Sequence, residues 1–299
     1  MITKFGKRFL TSYLAGNNTF SSKDLAFGIG SVTPNAKGND TRLNFEIYRV
    51  PVSISSFDIV QTGTDIDGDP VFAYTIIYRA TIPQDVSGVI SEIGLYPGVR
   101  TSTNYFDSKF VTAFENNLSW SDGTNSPEMQ SNNDTYTAKI GNGAVKVQVA
   151  SGQTKLYKCN LTELNLSGYS VNDSLAIAYT KADTHTSNIT VNFYSSDTDY
   201  YSISFTPESG TGSKIQSLTL NNLFNNVTGN PDPANIVKIG ISTTATGGAT
   251  TVYYDGIRIN DEDTFDPTYG IISRSVLNSP LVKSSGRPVD VEYKVQLEF

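Results

Sequence analysis

Apolar and polar residues alternate along most of the chain with a period of two, the period of a β-strand with one buried face. Residues 43–47 place Leu, Phe and Ile on one side of such a strand and Asn and Glu on the other. A longer β-rich run spans residues 71–82, and residues 64–70 before it contain an Asp-Gly pair and a proline. Those turn residues predict a hairpin, so we expect a first β-domain in this part of the chain.

The N-terminal segment follows a helical period instead. Ile2, Phe5, Phe9 and Tyr13 recur at helical spacing, and Gly16 is placed to end the helix. This spacing predicts a short amphipathic helix. Basic residues interrupt every apolar run, so the segment does not read as a secretion signal. No segment approaches the length of a transmembrane helix, and we expect no membrane insertion.

The C-terminal segment repeats the pattern of the first domain. Residues 289–299 alternate apolar and polar side chains without an error, which predicts a strand with one buried face. Such a strand must pair with a sheet, and we expect it to return to the N-terminal domain. Residues 1–112 plus 263–299 would then form one domain, and residues 113–262 would be inserted at a loop.

The predicted insert contains many short strands separated by turns rich in Gly, Pro and Asn. Such even spacing in about 150 residues predicts a two-sheet sandwich, most plausibly a jelly roll. The predicted fold is therefore all-β, with an N-terminal β-sandwich completed by the C-terminal strand and an inserted jelly-roll β-sandwich. The strands predicted within the insert are 145–149, 174–179, 189–194, 200–205, 215–220, 236–241 and 252–259.

Composition supports this class and excludes several functions. Hydrophobic residues make up 38% of the chain and charged residues 17%, the balance of a turn-rich β-protein. The net charge of -7 opposes nucleic-acid binding, which needs clustered Lys and Arg. Cys159 and His185 are the only residues of their types, so an internal disulfide and a Cys/His zinc site are excluded. Because His185 lies in a polar stretch that reads as a loop, we expect no enzyme of the Ser-His-Asp or Cys-His type.

Three short motifs in the first domain occur in a recognisable order. They are a Gly-x-Gly segment at 25–30, a Leu-x-x-Glu strand at 43–49 and Glu-Ile-Gly-Leu within 90–96. In that order they resemble the N-terminal region of tailed-bacteriophage tail-collar, baseplate and fibre-associated proteins, over about a third of the chain. The resemblance implies attachment to other virion structural proteins as a homo-oligomer, in the tail or baseplate rather than the capsid, after synthesis in the host cytoplasm.

The residues of these motifs also have plainer interpretations. Gly28 and Gly30 read either as ordinary turn glycines or as sites of close backbone approach, and the first is favoured. Glu92 reads either as a solvated carboxylate or as a polar anchor at a strand edge.

The two ends of the insert resemble jelly-roll carbohydrate-binding modules. Residues 114–120 look like the first strand of such modules, and residues 252–259 look like the last. In that family these strands often share a structural calcium ion, so the resemblance implies calcium ligands at Glu115 and Asp255. An ion pair between Asp255 and a Lys or Arg is the competing interpretation.

A carbohydrate-binding module also needs aromatic faces that stack on sugar rings, together with a few polar groups for the hydroxyls. Trp120, Tyr194, Tyr200 and Tyr201 are the candidates. Packing in the core or at the surface is the alternative role of each, because the chain has 17 tyrosines.

These observations favour a non-enzymatic structural component of a tailed-phage virion that contributes to host adsorption, with the exposed jelly roll contacting host surface glycan or a neighbouring virion protein. A capsid decoration or head-fibre protein is the alternative. A capsule polysaccharide depolymerase is less favoured, because nothing marks a catalytic carboxylate pair and no repeat of 20–50 residues is present.

Overall fold

A computed structural model of the protein describes residues 1–15, 23–30, 34, 36–97, 110–112, 114–131, 139–260 and 270–298. In these ranges the chain is all-β apart from two α-helices and a short 3-10 helix, as the alternation predicts. Neither α-helix of this part has the length and apolarity needed to cross a membrane. The chain divides into two compact units, Met1–Thr101 with Thr264–Phe299, and Ser102–Asp263.

The elements of the N-terminal part and of the start of the second unit are α1 (Lys4–Leu14), β1 (Lys23–Ile29), β2 (Phe45–Pro51), β3 (Ser53–Thr64), β4 (Pro70–Ile82), β5 (Gly88–Pro97), β6 (Phe110–Thr112), β7 (Trp120–Ser121), β8 (Glu128–Ser131) and β9 (Gly143–Val149). The elements that follow are β10 (Thr154–Leu164), β11 (Ser174–Lys181), β12 (Thr186–Tyr194), β13 (Tyr200–Phe205), β14 (Gly212–Thr219), α2 (Asn221–Phe224), β15 (Val227–Thr228), β16 (Ile236–Ala245), β17 (Thr250–Asn260), β18 (Ser273–Lys283) and β19 (Val289–Glu298).

The first unit is a β-sandwich of two antiparallel sheets. Sheet A has the order β18-β5-β1-β2, and sheet B has the order β19-β4-β3. The apolar faces of both sheets meet in one core, to which Leu25 and Leu95 of sheet A, Ile82 and Tyr293 of sheet B and Phe9 of α1 all contribute. The C-terminal strand β19 pairs with β4 along its whole length, so it completes the first sandwich as predicted.

The hairpin predicted from the Asp-Gly and Pro residues is formed by β3 and β4. Asp65 organises its turn, because its Oδ1 accepts the backbone N–H groups of Asp67 and Asp69 at 2.9 Å each. Gly68 takes the left-handed conformation, with φ +87°, that an L side chain rarely adopts.

The three motifs of the first unit meet inside sheet A. Glu92 is fully buried, and its Oε1 accepts the backbone N–H of Phe45 at 3.1 Å. A Cβ atom at Gly28 would lie 2.9 Å from that oxygen, and one at Gly30 would lie 2.9 Å from Glu92 Cδ. Both glycines are therefore needed for close approach, and the interpretation of them as turn glycines is wrong.

Glu92 is buried and therefore not solvated, and Arg274 of β18 supplies the opposite charge. The Arg274 Nη2 atom lies 2.8 Å from Glu92 Oε2, and Arg274 Nη1 lies 2.9 Å from Asp40 Oδ1. Burial raises the pKa of Glu92, and the Arg274 guanidinium opposes that rise. This ion pair links β5, which precedes the second unit in the sequence, with β18, which follows it.

The second unit is a jelly-roll β-sandwich. Sheet C has the order β14-β11-β17-β9-β8, and sheet D has the order β15-β13-β12-β16-β10-β7. From β9 to β17 the chain crosses repeatedly between them, with β9, β11, β14 and β17 in sheet C and β10, β12, β13 and β16 in sheet D. One apolar core lies between the sheets and includes Val147 and Ile257 from sheet C and Phe193 and Ile241 from sheet D.

Three local features of the second unit differ from what the sequence predicts. Residues 114–120 do not form a strand, since Phe114 has φ +53° and Asn117–Ser119 form a 3-10 helix before the two-residue strand β7. The strand β10 (Thr154–Leu164) was not predicted. Strand β6 pairs with β17 of the second unit, although residues 110–112 were assigned to the first domain.

Candidate functional site

The outer face of sheet D, the side that points away from the core, is the candidate site. Alternation along β12 creates it, because Val191 and Phe193 belong to the core between the sheets and Asn192 and Tyr194 therefore point to the other side, where neighbouring side chains bury them. The register of the sheet places Tyr194 beside Tyr200 of β13. Two of the predicted aromatic residues are thus neighbours on one face.

The same register brings polar residues to this pair. Tyr194 lies opposite Lys238 of β16, and Asn192 lies opposite Gly240. On the far side of β16, Gly240 lies opposite Lys158 of β10. Four central strands of sheet D therefore contribute to one cluster, which we call the tyrosine face: Tyr194, Tyr200, Asn192, Gly240, Lys158 and Lys238.

Tyr194 is the floor of the tyrosine face. Only 3% of it is exposed, and burial raises the pKa of its phenol. Its ring centroid lies 4.9 Å from that of Tyr200, and the Lys158 ammonium stands 4.4 Å from the Tyr194 centroid. Asn192 Nδ2 donates to its hydroxyl at 3.3 Å. Gly240 leaves room for the ring, since a Cβ there would lie 3.0 Å from Tyr194 Cε2.

Tyr200 is the more accessible ring, because it is half-buried whereas Tyr194 is covered. A partly exposed ring can stack on a sugar, and the amide and ammonium groups beside it can bind sugar hydroxyls. Lys238 forms an ion pair with Asp197, a residue of the turn between β12 and β13. The Lys238 ammonium, and more weakly Lys158, lowers the pKa of the Asp197 carboxyl.

Trp120 and Tyr201 do not join this face. Trp120 is 1% exposed and stacks on Phe114 in the core, with ring centroids 4.6 Å apart. Tyr201 follows Tyr200 directly, so strand alternation points it inward, where its hydroxyl donates to Pro231 O at 3.1 Å. Both residues are core residues, which corrects the prediction that their rings stack on a ligand.

Four members of the tyrosine face are not among the residues predicted from the sequence: Lys158, Asn192, Lys238 and Gly240. Lys158 lies on β10, and a period-two signal was present there, since Tyr157 and Cys159 point inward on either side of it. The other three lie on predicted strands, but a strand prediction does not say which residues of neighbouring strands become adjacent.

The predicted calcium ligands lie against one backbone segment, residues 139–143. Glu115 Oε2 accepts the N–H of Asn142 at 2.8 Å, and Asp255 Oδ2 accepts the N–H of Lys139 at 2.6 Å. Asp255 is 2% exposed, and burial holds its pKa well above the usual range, helped by the negative charge of Glu115. Glu115 is exposed as a residue, but desolvation of its carboxylate tip raises its pKa as well.

The charges around this pair bear on whether it could hold a cation. In the described part of the chain no Lys or Arg forms an ion pair with either carboxylate, although the charge of Lys139 makes a small contribution that lowers the pKa of Asp255. Calcium takes six to eight oxygen ligands and would offset the repulsion between the two charges. The described residues contain no group of three or more His, Cys, Asp or Glu side chains placed to hold a metal. Any further ligands among them would have to be backbone or amide oxygens or water.

No protein-family model and no curated protein matches the chain. Solved structures with a similar course of the backbone include an exo-β-agarase, at 16% identity and TM-score 0.37, over 53% of this chain and 26% of that one. The family 11 carbohydrate-binding module of a Clostridium thermocellum cellulase is similar at 16% identity and TM-score 0.36, over 51% of this chain and 93% of the module.

A third similar structure is the enzymatically active domain of tailspike protein 4 of bacteriophage CBA120, at 14% identity and TM-score 0.32, over 50% of this chain and 20% of that one. The chain thus spans about a quarter of the agarase and a fifth of the tailspike structure. At such identities and TM-scores the similarity does not indicate what this chain binds.

Proposed function

We propose that the protein is a non-enzymatic, glycan-binding structural component of a tailed-phage virion. The second unit binds host surface glycan through the tyrosine face, and the first unit attaches the protein to the particle. The observation that carries the glycan part is the Tyr194–Tyr200 pair, which is set among amide and ammonium groups on the outer face of sheet D. A ring with a polar fringe is the arrangement that sugar recognition requires.

Removal of the accessible ring tests this proposal. In the full chain, Tyr200→Ala should weaken binding to host envelope or capsule polysaccharide by about tenfold or more, since one aromatic stacking contact contributes roughly 1 kcal/mol beyond the area it buries. Tyr253→Ala is the matched control, because Tyr253 is also half-buried but lies in sheet C. Equal losses in both variants, or no binding by the wild type, would refute the role of this face.

Catalysis is tested in the same assay. A polysaccharide-binding protein without enzymatic activity releases no reducing sugar from the polysaccharide that it binds. Sugar release by the purified protein would instead support the depolymerase alternative.

The attachment part rests on strand β3 in the first unit. This strand is an edge of sheet B and carries Ile54, Phe57, Ile59 and Val60, each more than half exposed. An exposed, apolar edge strand is a site of strand pairing with another chain. We propose that a second copy pairs there and that the protein is a homo-oligomer.

Electrostatics permit a second copy at this edge. Each copy carries a net charge of -7, so two copies repel each other over most of their surface. Asp58 is the only charged residue of β3, and the strand therefore offers a contact with little charge repulsion.

Immunogold labelling of purified particles tests the proposed location in the virion. Label on the tail supports it, label on the head indicates the decoration or head-fibre alternative, and unlabelled particles refute it.

We also propose a structural calcium ion held by Glu115 and Asp255. The support is the proximity of two desolvated carboxylates to one backbone segment and the effect of Glu115 on the pKa of Asp255. Calcium bound only by the folded state would raise the melting temperature, and a chelator would reverse the rise.

A further inference from the structure

The tyrosine face carries positive charge only, although the chain as a whole is acidic. Strand alternation and register identify the outward positions of the four central strands of sheet D. Up to the register shift that follows Asn160 in β10, two of these positions are lysines and none is a carboxylate. In order along β10, β12, β13 and β16 they are Thr154, Leu156, Lys158, Asn160, Asn188, Thr190, Asn192, Tyr194, Tyr200, Ser202, Ser204, Lys238, Gly240, Ser242 and Thr244.

This distribution departs from the rest of the molecule. The chain contains 29 Asp and Glu residues against 22 Lys and Arg residues. Strand β19 of the first unit, for comparison, presents Asp290, Glu292 and Lys294 on its exposed side. A face that binds neutral sugars needs hydrogen-bonding groups of either sign. A surface that omits carboxylates and keeps lysines favours an anionic ligand.

Among the residues that the structure describes, Lys238 forms an ion pair with Asp197 and Lys158 forms none, although Asp197 attracts both ammonium groups. Lys238 is bonded to Asp197, whereas Lys158 is held over the ring of Tyr194 at 4.4 Å from its centroid. A cation–π contact fixes the position of the ammonium without removing its charge. The Lys158 charge therefore stands next to the Tyr194–Tyr200 pair, within the site where a stacked sugar would lie.

From this geometry we propose that the ligand is an acidic polysaccharide, with Tyr200 stacking on a sugar ring and Lys158 binding its anionic group. This proposal rests on the glycan-binding function proposed above and specifies its ligand class. The anionic group is a uronate-type carboxylate, a sulfate or a phosphate, all of which an ammonium binds. Two lysines on a protein of net charge -7 do not form the basic stripe that a nucleic acid needs.

Binding of the full chain to four soluble polymers tests the proposal. Alginate supplies carboxylates, dextran sulfate supplies sulfates, and dextran is neutral. Single-stranded DNA is a polyanion that is not a polysaccharide. We expect alginate or dextran sulfate to bind at least about tenfold more tightly than dextran, the ratio expected for one charge-assisted hydrogen bond. This binding should weaken as salt rises from 50 to 300 mM, because exposed charges are screened.

Substitution of Lys158 separates its role from net charge. Lys158→Met should reduce binding to the acidic polymer by about tenfold, a clearly larger loss than the same variant shows with dextran. Lys294→Met is the matched control, since it makes the same change of charge on exposed strand β19 and should have no effect. A comparison of alginate with dextran sulfate identifies the anionic group.

Each contrary result has a distinct meaning. Equal or tighter binding to dextran, or an unchanged affinity in Lys158→Met, would overturn the acidic ligand while leaving the glycan function intact. DNA binding of equal strength and salt dependence would overturn it in favour of non-specific polyanion binding. If no polysaccharide binds, in this panel or from the host, the proposed function itself fails.

Discussion

At the scale of single residues, Asp255 shows how burial makes the stability of the folded state depend on pH. Its pKa in the folded state lies above that of the unfolded chain. Between these two values the folded state holds a proton that the unfolded chain has released. The stability associated with this proton is present at low pH and is lost as pH rises through the folded-state pKa.

Asp255→Asn removes this pH-dependent loss. In chelator, the variant should be more stable than the wild type at pH 8, by roughly 1 to 3 kcal/mol, and the advantage should shrink as pH falls toward 4. In calcium the wild type should be more stable than the variant, because it alone keeps both charged ligands. Thermal melts at several pH values measure this. Asp122 is the control, since backbone N–H groups of Asn125 and Thr124 lower its pKa and predict the opposite trend with pH.

The buried ion pair of Arg274 and Glu92 gives a second prediction at this scale. Arg274→Met leaves a buried carboxylate without its partner and should reduce the free energy of unfolding of the first unit by about 3 to 5 kcal/mol. Arg79→Met is the control, because Arg79 forms an exposed pair with Glu292 whose loss should leave the stability almost unchanged. Urea denaturation measures both, and equal effects would show that Glu92 is not paired as described.

At the scale of elements, the three motifs of the first unit became interpretable only when their strands were placed side by side. The Gly-x-Gly, Leu-x-x-Glu and Glu-Ile-Gly-Leu segments were visible in the sequence, but Arg274 was not among them. It lies in β18, far along the chain, and reaches Glu92 because β18 pairs with β5.

Strand β3 carries the prediction at this scale. Phe57→Lys places a charge in the proposed contact and should convert the assembled wild type to monomers, because burial of an unpaired charge is unfavourable. Val282→Lys is the matched control, since Val282 is 72% exposed on β18, outside sheet B. Sedimentation velocity over a hundredfold range of concentration measures the change. A wild type that stays monomeric throughout would contradict the self-association.

At the scale of the whole molecule, each unit has its own main apolar core, and the first unit has a smaller cluster besides, formed by Ala26, Leu43, Tyr96 and Ile271. Units with their own cores often unfold independently. We expect two calorimetric transitions for the full chain, of which calcium should raise only the one that belongs to the second unit. Arg274→Met should lower the other. A single transition that responds to both changes would show that the units unfold together.

The sequence by itself determined the class of the fold, because a period of two along a strand follows directly from backbone geometry. It predicted the hairpin of β3 and β4, the return of β19 to the first unit, and most strands of the jelly roll. It also gave Tyr194 and Tyr200 as candidates, and alternation alone implies that Tyr200 and Tyr201 point to opposite sides.

Only the tertiary structure decided which of these side chains form a site. Register between strands distant in sequence brings Lys158 and Lys238 to the tyrosine face, and packing between the sheets takes Trp120 and Tyr201 out of it. A strand pattern specifies which side of its own sheet a residue occupies. Its neighbours, and the charge they bring, depend on non-local pairing, which the pattern of one strand does not contain.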